Sequence, residues 1–309
     1  MKPRRSILSV PGHVQKMHAK ARDSAADVVM LDLEDSVPFD AKEDARRQVI
    51  RSLNELDWRG KVISVRCNGL QTPFGYRDIL AVAETAGGRL DTMVVPKVHH
   101  PGDIHFVHRL LDGIESYKGM EKSIGIEACI ESPEGLENIK QIASASHRLR
   151  SLVFGIADYS ESIGASLVSL SGHGEEVNTF YPGHRWHFPL SRIVMAAKAH
   201  DLTAIDAPFG DFRNLDGLRQ SAGLSRALGY DGKWVIHPDQ IHAVNGVFSP
   251  SPEEIERAEK IISAYAKAAA SGRGAVAVDG RMVDHATLRL AEKVQAMAAY
   301  LKKGVLNRS

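Results

Sequence analysis

Short apolar runs rich in β-branched residues recur eight times along the chain, and a helical pattern follows most of them. Such runs are typical of parallel strands that are buried on both faces and joined by crossover helices. The repetition predicts an α/β fold, a (β/α)8 TIM barrel. The predicted strands are 6–10, 27–33, 62–67, 92–95, 123–130, 149–156, 202–205 and 233–236, and the predicted helices between them are 13–24, 76–86, 101–111, 133–144, 190–200 and 215–228.

Most apolar runs end in a polar residue, and the first ends in Pro-Gly. A TIM barrel brings the carboxyl ends of all eight strands to one face, and the active sites of this fold are built there. We therefore expect the functional residues close to these eight ends, which carry Pro11-Gly12, Asp32-Leu33-Glu34-Asp35, Arg66-Cys67-Asn68, Pro96-Lys97, Glu131, Asp158, Asp206 and His237.

The barrel pattern stops after Asn245, so we assign residues 1–250 to a barrel domain and residues 251–309 to a C-terminal helical extension. Ser251 and Pro252 have the features of a helix N-cap and a first helical residue, and they predict a helix that runs to about Ala270. A second helix is predicted over 285–303. Because such an extension cannot bury a core of its own, we expect it to pack on the barrel or on a neighbouring subunit.

The interval 164–188, between the sixth and seventh strands, is longer than the others. Long loops at the upper face of a barrel are often lids or binding loops. An ordinary insertion without a function is an equally open interpretation.

The composition argues against several classes of partner. The 39 basic and 38 acidic residues are interspersed and the formal net charge is +1, so we expect no surface that gathers nucleic acid or an anionic membrane. No apolar run reaches the roughly 20 residues of a membrane-spanning helix, and no secretory signal is evident, so we expect a cytoplasmic protein. Cys67 and Cys129 lie inside predicted strands, which predicts buried, reduced thiols rather than a disulfide or a zinc site.

Glu131 and Asp158 close the predicted fifth and sixth strands, so in a barrel they lie side by side at the same mouth. Two carboxylates without a cluster of Cys or His suit a hard cation that keeps positions open for substrate, which favours Mg²⁺ over Zn²⁺ or iron. The alternative is that each acid only caps the helix that follows it.

Arg66 ends the third strand, across the mouth from this acidic pair. A buried arginine must face an acid or an anionic ligand. Its structural partner could be Glu34 or Asp35 on the second strand, whereas its functional role would be to hold a carboxylate or a developing enolate oxygen. Asn68 could add a hydrogen bond or could only shape a turn.

Three acids, Asp32, Glu34 and Asp35, stand at the end of the second strand. Strand alternation sends Asp32 and Glu34 to the same side, so at least one of them could orient a metal-bound water or Arg66. Lys97 and His237 are weaker single candidates, because Lys97 could simply counter the acids and a lone histidine is more often structural. The chain has no glycine-rich phosphate loop and no nucleophile elbow, which disfavours nicotinamide and covalent serine chemistry.

Together these strand-end motifs resemble the citrate lyase β-subunit and HpcH/HpaI aldolase superfamily, and within it the malyl-CoA lyase branch. The resemblance covers nearly the whole chain in the family's order, and the combination is specific although each motif alone is weak. The motifs are 31–37 (LDLEDSV), 65–68 (VRCN), 95–97 (VPK), 130–135 (IESPEG), 155–159 (GIADY), 186–194 (WHFPLSRIV), 205–212 (IDAPFGDF), 232–238 (GKWVIHP) and 280–284 (GRMVD).

The resemblance implies a barrel with a C-terminal extension, an acyl-CoA substrate, and Mg²⁺, or Mn²⁺ in its place, held by Glu131 and Asp158. It implies that Arg66 contacts the substrate and that Asp284 reaches the active site of an adjacent subunit as a catalytic residue. Oligomerisation, as a homotrimer or hexamer, would then be part of catalysis. Further substrate contacts are implied for Pro11, Gly12, Ala157, Ile236 and His237.

The chemistry implied by the resemblance is a reversible Claisen-type cleavage. A 3-hydroxyacyl-CoA such as malyl-CoA or β-methylmalyl-CoA would chelate the metal through its hydroxyl and free carboxylate. Cleavage would give glyoxylate, a small 2-oxo acid, and the enolate of acetyl-CoA or propionyl-CoA. Arg66 would stabilise this enolate, and Asp284 or a water that it orients would protonate it.

Three alternatives stay open at this point. A malyl-CoA thioesterase or a citramalyl-CoA lyase could use the same site, since residues 166–181 match no pattern that we can assign. A metal-dependent aldolase would act on free 2-oxo acids instead. A catalytically silent CoA-binding subunit is the third, and the intact Arg66, Glu131, Asp158 and Asp284 argue against it.

Overall fold

The computed structural model describes residues 2–165 and 185–306. Eight parallel strands form a closed barrel in which each strand pairs with the next, and the eighth pairs with the first. The predicted TIM barrel is confirmed, and all predicted strand ends lie within two residues of the observed ones. The strands are β1 (Ser6–Pro11), β2 (Val28–Asp32), β3 (Val62–Arg66), β4 (Thr92–Val95), β5 (Gly125–Ile130), β6 (Leu149–Phe154), β7 (Thr203–Asp206) and β8 (Gly232–Val235).

Helices surround the barrel between the strands. Three of them, α2 (Lys42–Glu55), α7 (Ile156–Ser162) and α10 (Gln240–Val247), had no counterpart among the predicted helices. The predicted helix 133–144 consists of two short helices that meet at Asn138. The helices of this unit are α1 (Gln15–Asp23), α2 (Lys42–Glu55), α3 (Gly75–Ala86), α4 (Pro101–Lys118), α5 (Pro133–Glu137), α6 (Ile139–Ala143), α7 (Ile156–Ser162), α8 (His187–Ala199), α9 (Leu215–Leu228) and α10 (Gln240–Val247).

Alternate side chains of the strands fill the barrel interior. The outward-facing set packs against the helices in one large apolar core, which includes Leu31, Val65 and Val95. The inward-facing apolar set forms a separate cluster, in which bulky branched residues dominate as is usual for this fold. Its members are Ile7, Val28, Met30, Val62, Val94, Cys129, Val153, Ile205 and Trp234. Both cysteines are buried and free, as expected.

A buried polar layer occupies the interior towards the amino ends of the strands. The carboxylate of Glu127 accepts hydrogen bonds from the hydroxyls of Ser64 (3.0 Å) and Ser151 (2.7 Å). It also accepts hydrogen bonds from Thr92 and from the guanidinium of Arg4, which precedes β1. Each of these partners compensates the cost of burying a charged side chain.

A second compact unit begins at Ser249, after the first unit ends at Phe248. It contains α11 (Pro252–Ala270), the antiparallel strands β9 (Val276–Val278) and β10 (Arg281–Val283), and α12 (His285–Leu306). A small apolar cluster links these elements, so the expectation that the extension has no core of its own was wrong. The cluster consists of the buried residues Ala258, Ile261, Val283 and Ala291.

The β9–β10 hairpin was not predicted. Its two-residue loop is Asp279-Gly280, and both residues have positive φ angles, 48° and 73°. Asp-Gly between two short apolar runs is a strong signal of a tight hairpin turn, so this element could have been found from the sequence. Among the residues that the structure describes, no helix is long and apolar enough to cross a membrane.

Candidate active site

Asp32 and Arg66 form the base of the site. Each is the last residue of its strand, and the two are paired in register across β2 and β3. Arg66 donates two hydrogen bonds to the carboxylate, from Nε to Oδ1 at 2.6 Å and from Nη2 to Oδ2 at 2.8 Å. Burial alone would raise the pKa of Asp32, but the charge of Arg66 and hydrogen bonds from Arg66 and Ser36 lower it to about 2. Asp32 therefore stays ionised and fixes the plane of the guanidinium.

The remaining side of the Arg66 guanidinium faces the other two acids that follow β2. Nη1 lies 3.1 Å from Glu34 Oε2 and 3.3 Å from Asp35 Oδ2, and Cζ lies 5.4 Å from the centre of the Trp234 ring. The sequence left a structural partner and a ligand as alternatives for Arg66, and the structure supplies acidic partners. A guanidinium has five N–H donors, so these contacts leave donor capacity for a ligand.

Glu131 directly follows β5 and is buried. Its Oε1 accepts a hydrogen bond of 2.5 Å from the backbone N–H of Lys97. A Cβ atom at Gly155 would lie 2.1 Å from Glu131 Oε2, so only glycine at this position leaves room for the carboxylate. The cap of α5 is not Glu131 but Ser132, whose hydroxyl accepts from the backbone N–H of Gly135. The capping role considered for Glu131 therefore belongs to its neighbour.

The electrostatic surroundings of Glu131 disfavour its ionised form. Burial is the largest cause, and the charges of Glu34 and Asp158 add to it, so that the pKa of Glu131 rises to about 8. Both neighbouring acids therefore act against ionisation of Glu131. A carboxylate in such a position is stabilised by an added cation.

Asp158 does not end β6, as the sequence had suggested. The strand stops at Phe154, and Asp158 lies in the first turn of α7. Its side chain nevertheless faces the mouth, because Oδ1 is 3.6 Å from Lys97 Nζ. The strand was predicted too long because the apolar run continues through Ile156, which instead begins the helix.

Lys97 contacts four acids of the site, although the sequence had made it only a weak single candidate. Its backbone has a left-handed conformation with φ of 51°, which is uncommon for a residue other than glycine, and its N–H bonds to Glu131. Its Nζ lies 2.8 Å from Glu34 Oε1 and 3.6 Å from Asp35 Oδ1, in addition to Asp158. Desolvation would lower the pKa of Lys97, but the hydrogen bond and charge of Glu34 and the other acids raise it well above its ordinary value.

Carboxylate oxygens at this mouth are available to bind a hard cation. Glu34 Oε2 is buried and has no hydrogen bond, although it forms an ion pair with Arg66 Nη1 at 3.1 Å. Burial, opposed by Arg66 and reinforced by Asp35, raises the pKa of Glu34 to about 7. Across 2–165 and 185–306, no three His, Cys, Asp or Glu side chains converge on one point. Proteins hold Mg²⁺ with one or two carboxylates and leave the other positions to water and substrate oxygens, and the described residues fit that pattern.

Asn68 has a structural environment. Its backbone N–H and its Nδ2 both donate to Asp78 Oδ2, at 2.9 Å and 2.6 Å, and this tie joins the end of β3 to α3. Of the two roles that the sequence left open for Asn68, the contacts correspond to the one that shapes the local backbone.

Ile236 and His237 follow β8 at the same face of the barrel. Gln240 Oε1 accepts a hydrogen bond from both backbone N–H groups, at 2.9 Å and 3.3 Å. The imidazole of His237 stacks on Phe212 with 4.8 Å between ring centres, and Ile236 is 44% exposed. Sequence reasoning had included Phe212 in a motif without giving it a role, since a stacking partner on another loop leaves no spacing signal.

The first strand brings Pro11 and Gly12 to the mouth. Pro11 is the last residue of β1, and the N–H of Gly12 donates to the carbonyl of Asp32 at 2.7 Å. A Cβ atom at Gly12 would lie 2.6 Å from that carbonyl, so the close approach of the two backbones requires glycine. Ala157 is exposed in the first turn of α7, beside Asp158.

One polar strand end does not belong to the site. Ile205 belongs to the interior cluster, so the next residue, Asp206, faces outwards from the barrel. There its carboxylate is fully buried and accepts from Lys233 Nζ at 2.6 Å. A polar residue at a strand end therefore marks the mouth only when its side chain points inwards.

Asp284 lies in the second unit, where it caps α12. Its Oδ1 accepts hydrogen bonds from the backbone N–H of Thr287 (2.9 Å) and from its hydroxyl (3.0 Å). The hydrogen bond from the Thr287 backbone is the largest cause of a lowered pKa of Asp284, which favours the ionised form. The interval 164–188 lies mostly outside the described residues.

The fold and the site together define a TIM-barrel protein whose carboxyl-end mouth combines several acids, a fixed arginine and a lysine. Barrel enzymes place their catalytic residues at this end. Residues 5–238 match the model of the HpcH/HpaI aldolase/citrate lyase family, and the chain belongs to this family.

Curated relatives cover nearly the whole chain. An L-malyl-CoA/beta-methylmalyl-CoA lyase of Cereibacter sphaeroides (strain ATCC 17025 / ATH 2.4.3) is 41% identical over 302 residues, which are 96% of this chain and 95% of that protein. A (3S)-malyl-CoA thioesterase of Cereibacter sphaeroides (strain KD131 / KCTC 12085) is 34% identical over 96% of this chain and 97% of its own length.

A solved structure shares the architecture. The protein CitE from Mycobacterium tuberculosis, in complex with magnesium, acetoacetate and coenzyme A, aligns with a TM-score of 0.77 and 28% sequence identity. The alignment covers 96% of this chain and 98% of that one.

Proposed function

We propose that the protein is a Mg²⁺-dependent lyase that cleaves malyl-CoA or β-methylmalyl-CoA to glyoxylate and acetyl-CoA or propionyl-CoA. The observation that carries this proposal is the arrangement of Glu131, Asp158 and Arg66 around one mouth. The 41% identity to a lyase of that name over 96% of the chain supports the choice of substrate.

In this proposal Glu131 and Asp158 hold Mg²⁺, with Mn²⁺ as a possible substitute. Bound Mg²⁺ supplies Lewis-acid chemistry, because it polarises the hydroxyl and carboxylate oxygens of the substrate. The protein binds the acyl-CoA thioester along the mouth between β1 and β8, where Pro11, Gly12, Ile236 and His237 lie, with Ala157 beside the metal ligand Asp158. The CoA-bound relative supports this class of substrate.

Arg66 stabilises the charge that develops during cleavage. As the bond between the hydroxyl-bearing carbon and the thioester α-carbon breaks, its electron pair moves into the thioester enolate, and the hydroxyl proton passes to solvent water at the mouth. A guanidinium held rigidly by Asp32 meets this enolate oxygen without having to reorient. Glu34 and Asp35 hold the guanidinium of Arg66 from the side opposite Asp32, and Lys97 pairs with Glu34. Asn68 fixes the backbone after Arg66.

Asp284 completes the reaction in this proposal by serving the active site of an adjacent subunit of a homotrimer or hexamer. It, or a water that it orients, delivers a proton to the enolate carbon, and in the condensing direction it removes that proton. Its lowered pKa keeps the carboxylate ionised, which is the form that a proton acceptor needs, while it also makes the carboxylate a weaker base. Mixing inactive Asp284→Ala and Glu131→Ala subunits should restore part of the activity, and verified hetero-oligomers without any activity would exclude the shared site.

Product analysis tests the reaction. Purified protein with Mg²⁺ is offered malyl-CoA, β-methylmalyl-CoA and citramalyl-CoA in turn, and the products are identified by mass spectrometry. Glyoxylate with acetyl-CoA or propionyl-CoA supports the proposal, whereas pyruvate from citramalyl-CoA alone would replace it with the related lyase. Cleavage of free 2-oxo acid aldols but not of CoA esters would indicate an aldolase, and no turnover would indicate a silent subunit.

The second candidate is a malyl-CoA thioesterase, which the 34% identical relative of that name favours. Hydrolysis would release free malate and CoA from malyl-CoA and leave the carbon–carbon bond intact. The same product analysis separates the two activities, because only the lyase forms glyoxylate.

A further inference from the structure

Lys97 contacts the acids of the mouth through both its backbone and its side chain. The backbone N–H binds Glu131, one proposed metal ligand, and the ammonium lies 3.6 Å from Asp158, the other. The ammonium is closest to Glu34, at 2.8 Å, and this carboxylate also faces Arg66. Lys97 thus stands between the proposed metal ligands and the acidic end of β2.

The charges of the mouth do not balance. Lys97 and Arg66 form the ion pairs of the mouth, and the buried ammonium of Lys42 lies behind them, bonded to the carbonyls of Leu33 and Glu34. These three cations face five carboxylates when all are ionised: Asp32, Glu34, Asp35, Glu131 and Asp158. Arg66 is buried and fixed by two hydrogen bonds to Asp32. The Lys97 side chain is 36% exposed, and its ammonium stands on a flexible four-carbon chain. Lys97 is therefore the cation that can move away when another cation arrives.

We propose that Lys97 is the counter-ion of the metal-free mouth: its ammonium neutralises Glu34 and Asp158 when no metal is bound and thereby weakens the binding of a divalent cation. This inference rests on the proposed function, because it assumes that Glu131 and Asp158 bind Mg²⁺. Two cations that share Asp158 repel each other, so removal of the ammonium should strengthen metal binding.

The test measures metal binding to the whole protein without substrate. Isothermal titration with Mg²⁺, and with Mn²⁺ followed by electron paramagnetic resonance, gives the dissociation constants for wild type and Lys97→Met. We expect binding to Lys97→Met to be tighter by about tenfold or more, given the strength of such charge pairs near a protein surface. The metal-free variant should melt at a lower temperature than wild type, and Mg²⁺ should raise its Tm by more.

Three further variants isolate the charge. Lys97→Asn removes the ammonium with a residue that tolerates the left-handed backbone at this position, and it replaces Lys97→Met if the latter does not fold. Lys97→Arg keeps the charge and should bind metal like wild type. Lys122→Met removes an exposed ammonium that lies 2.8 Å from Asp91, near the amino ends of β4 and β5, and it should leave metal binding unchanged.

The outcomes separate this inference from the proposed function. Tighter binding in Lys97→Met or Lys97→Asn, together with unchanged binding in the two charge controls, supports the counter-ion role. Unchanged or weaker binding in the neutral variants overturns it and leaves the proposed metal site intact. If wild type binds neither metal, both the metal site and the role of Lys97 are wrong.

Discussion

One buried glutamate directly follows strand β5 and another lies on the strand four residues earlier, and the surroundings of the two are opposite. Glu127 is 1% exposed, and its carboxylate accepts hydrogen bonds from four side chains. Burial would raise the pKa of Glu127, but the charge of Arg4 and these hydrogen bonds lower it below its ordinary value. Glu131 is 5% exposed, receives one hydrogen bond from Lys97 and faces other acids, and its pKa rises to about 8.

The difference separates structural from functional use of a buried charge. At the amino end of the barrel every oxygen of Glu127 is satisfied within the protein, so that layer closes the fold and needs no ligand. At the carboxyl end the carboxylates outnumber the nearby cations Arg66, Lys97 and Lys42, and such an excess is typical of a site that a cation or substrate completes.

The largest expected effect is on activity, from Glu131→Gln. The amide keeps the shape of the side chain and can accept the hydrogen bond from Lys97, but it removes the charge that a metal needs. We expect turnover to fall by about 10³-fold or more and Mg²⁺ affinity to be lost, since one electrostatic group of an active site commonly contributes this much. Stability of the metal-free protein to urea should be equal or higher, because the amide replaces a buried carboxylate whose ionised form burial and neighbouring acids disfavour.

Asp158→Asn is the companion variant and should show the same pattern. Steady-state turnover, calorimetry with Mg²⁺ and urea unfolding are measured on the same preparations. Normal turnover with unchanged metal affinity in either variant would show that the acid is not a metal ligand.

The next effect is on stability, from Arg4→Met. This change leaves Glu127 buried without its counter-charge, which typically costs about 3–5 kcal/mol. The folded fraction should keep its turnover per molecule, because Arg4 contacts no residue of the mouth in the described contacts.

Arg47→Met provides the matched control for Arg4. Arg47 forms an exposed ion pair with Asp44 on α2, and exposed pairs contribute about 0–1 kcal/mol. Urea unfolding gives both values. If Arg4→Met cost no more than Arg47→Met, the amino-end layer would not be the stabilising element that its hydrogen bonds indicate.

Much of this contrast was accessible from the sequence, but not all of it. Strand periodicity predicted the barrel and the position of Glu131 because both depend on local alternation and on the order of elements. No feature of the neighbouring sequence distinguishes Glu127 from Glu131. The hydrogen-bond donors of Glu127 come from β3, β4, β6 and the chain before β1. Such partners become neighbours only through the closure of the barrel.

Asp158 and Lys97 show two further limits of sequence reasoning. The apolar run of β6 continues into α7, so periodicity alone placed Asp158 on the strand. The contacts of Lys97 depend on a left-handed backbone conformation, which a lysine in the sequence does not predict. The role proposed for Asp284 rests only on the family resemblance, because its local contacts are those of an ordinary helix cap.

A smaller effect is expected from Gly155→Ala, which disturbs Glu131 without touching its charge. The added Cβ would lie 2.1 Å from Oε2, so the carboxylate must move. A displacement of about 1 Å in a catalytic group can cost about 10²-fold in rate, and we expect a loss of that order in kcat/KM. The variant should also bind Mg²⁺ more weakly.

Gly113→Ala is the control for the added methyl group. Gly113 lies within α4, and no heavy atom stands within 4 Å of a Cβ built there. Alanine should leave activity unchanged and raise helix stability by up to about 1 kcal/mol. Normal activity and metal affinity in Gly155→Ala would mean that Glu131 tolerates displacement and that its close packing against Gly155 has no catalytic importance.

The smallest effect is expected at Trp234, whose ring connects the two regions. It belongs to the apolar cluster inside the barrel and lies beneath the Arg66 guanidinium, 5.4 Å from Cζ. Its Nε1 is buried without a hydrogen-bond partner among the described residues, so phenylalanine removes no such contact.

Trp234→Phe keeps an aromatic face for Arg66, while Trp234→Leu loses the cation–π attraction, which amounts to about 0.5–2 kcal/mol. Both variants should lose stability through the smaller side chain, but only Trp234→Leu should lower kcat, by up to about 30-fold if the whole attraction is lost. Equal kcat in the two variants, measured at a temperature where both are folded, would assign Trp234 to the core alone and leave the positioning of Arg66 to Asp32.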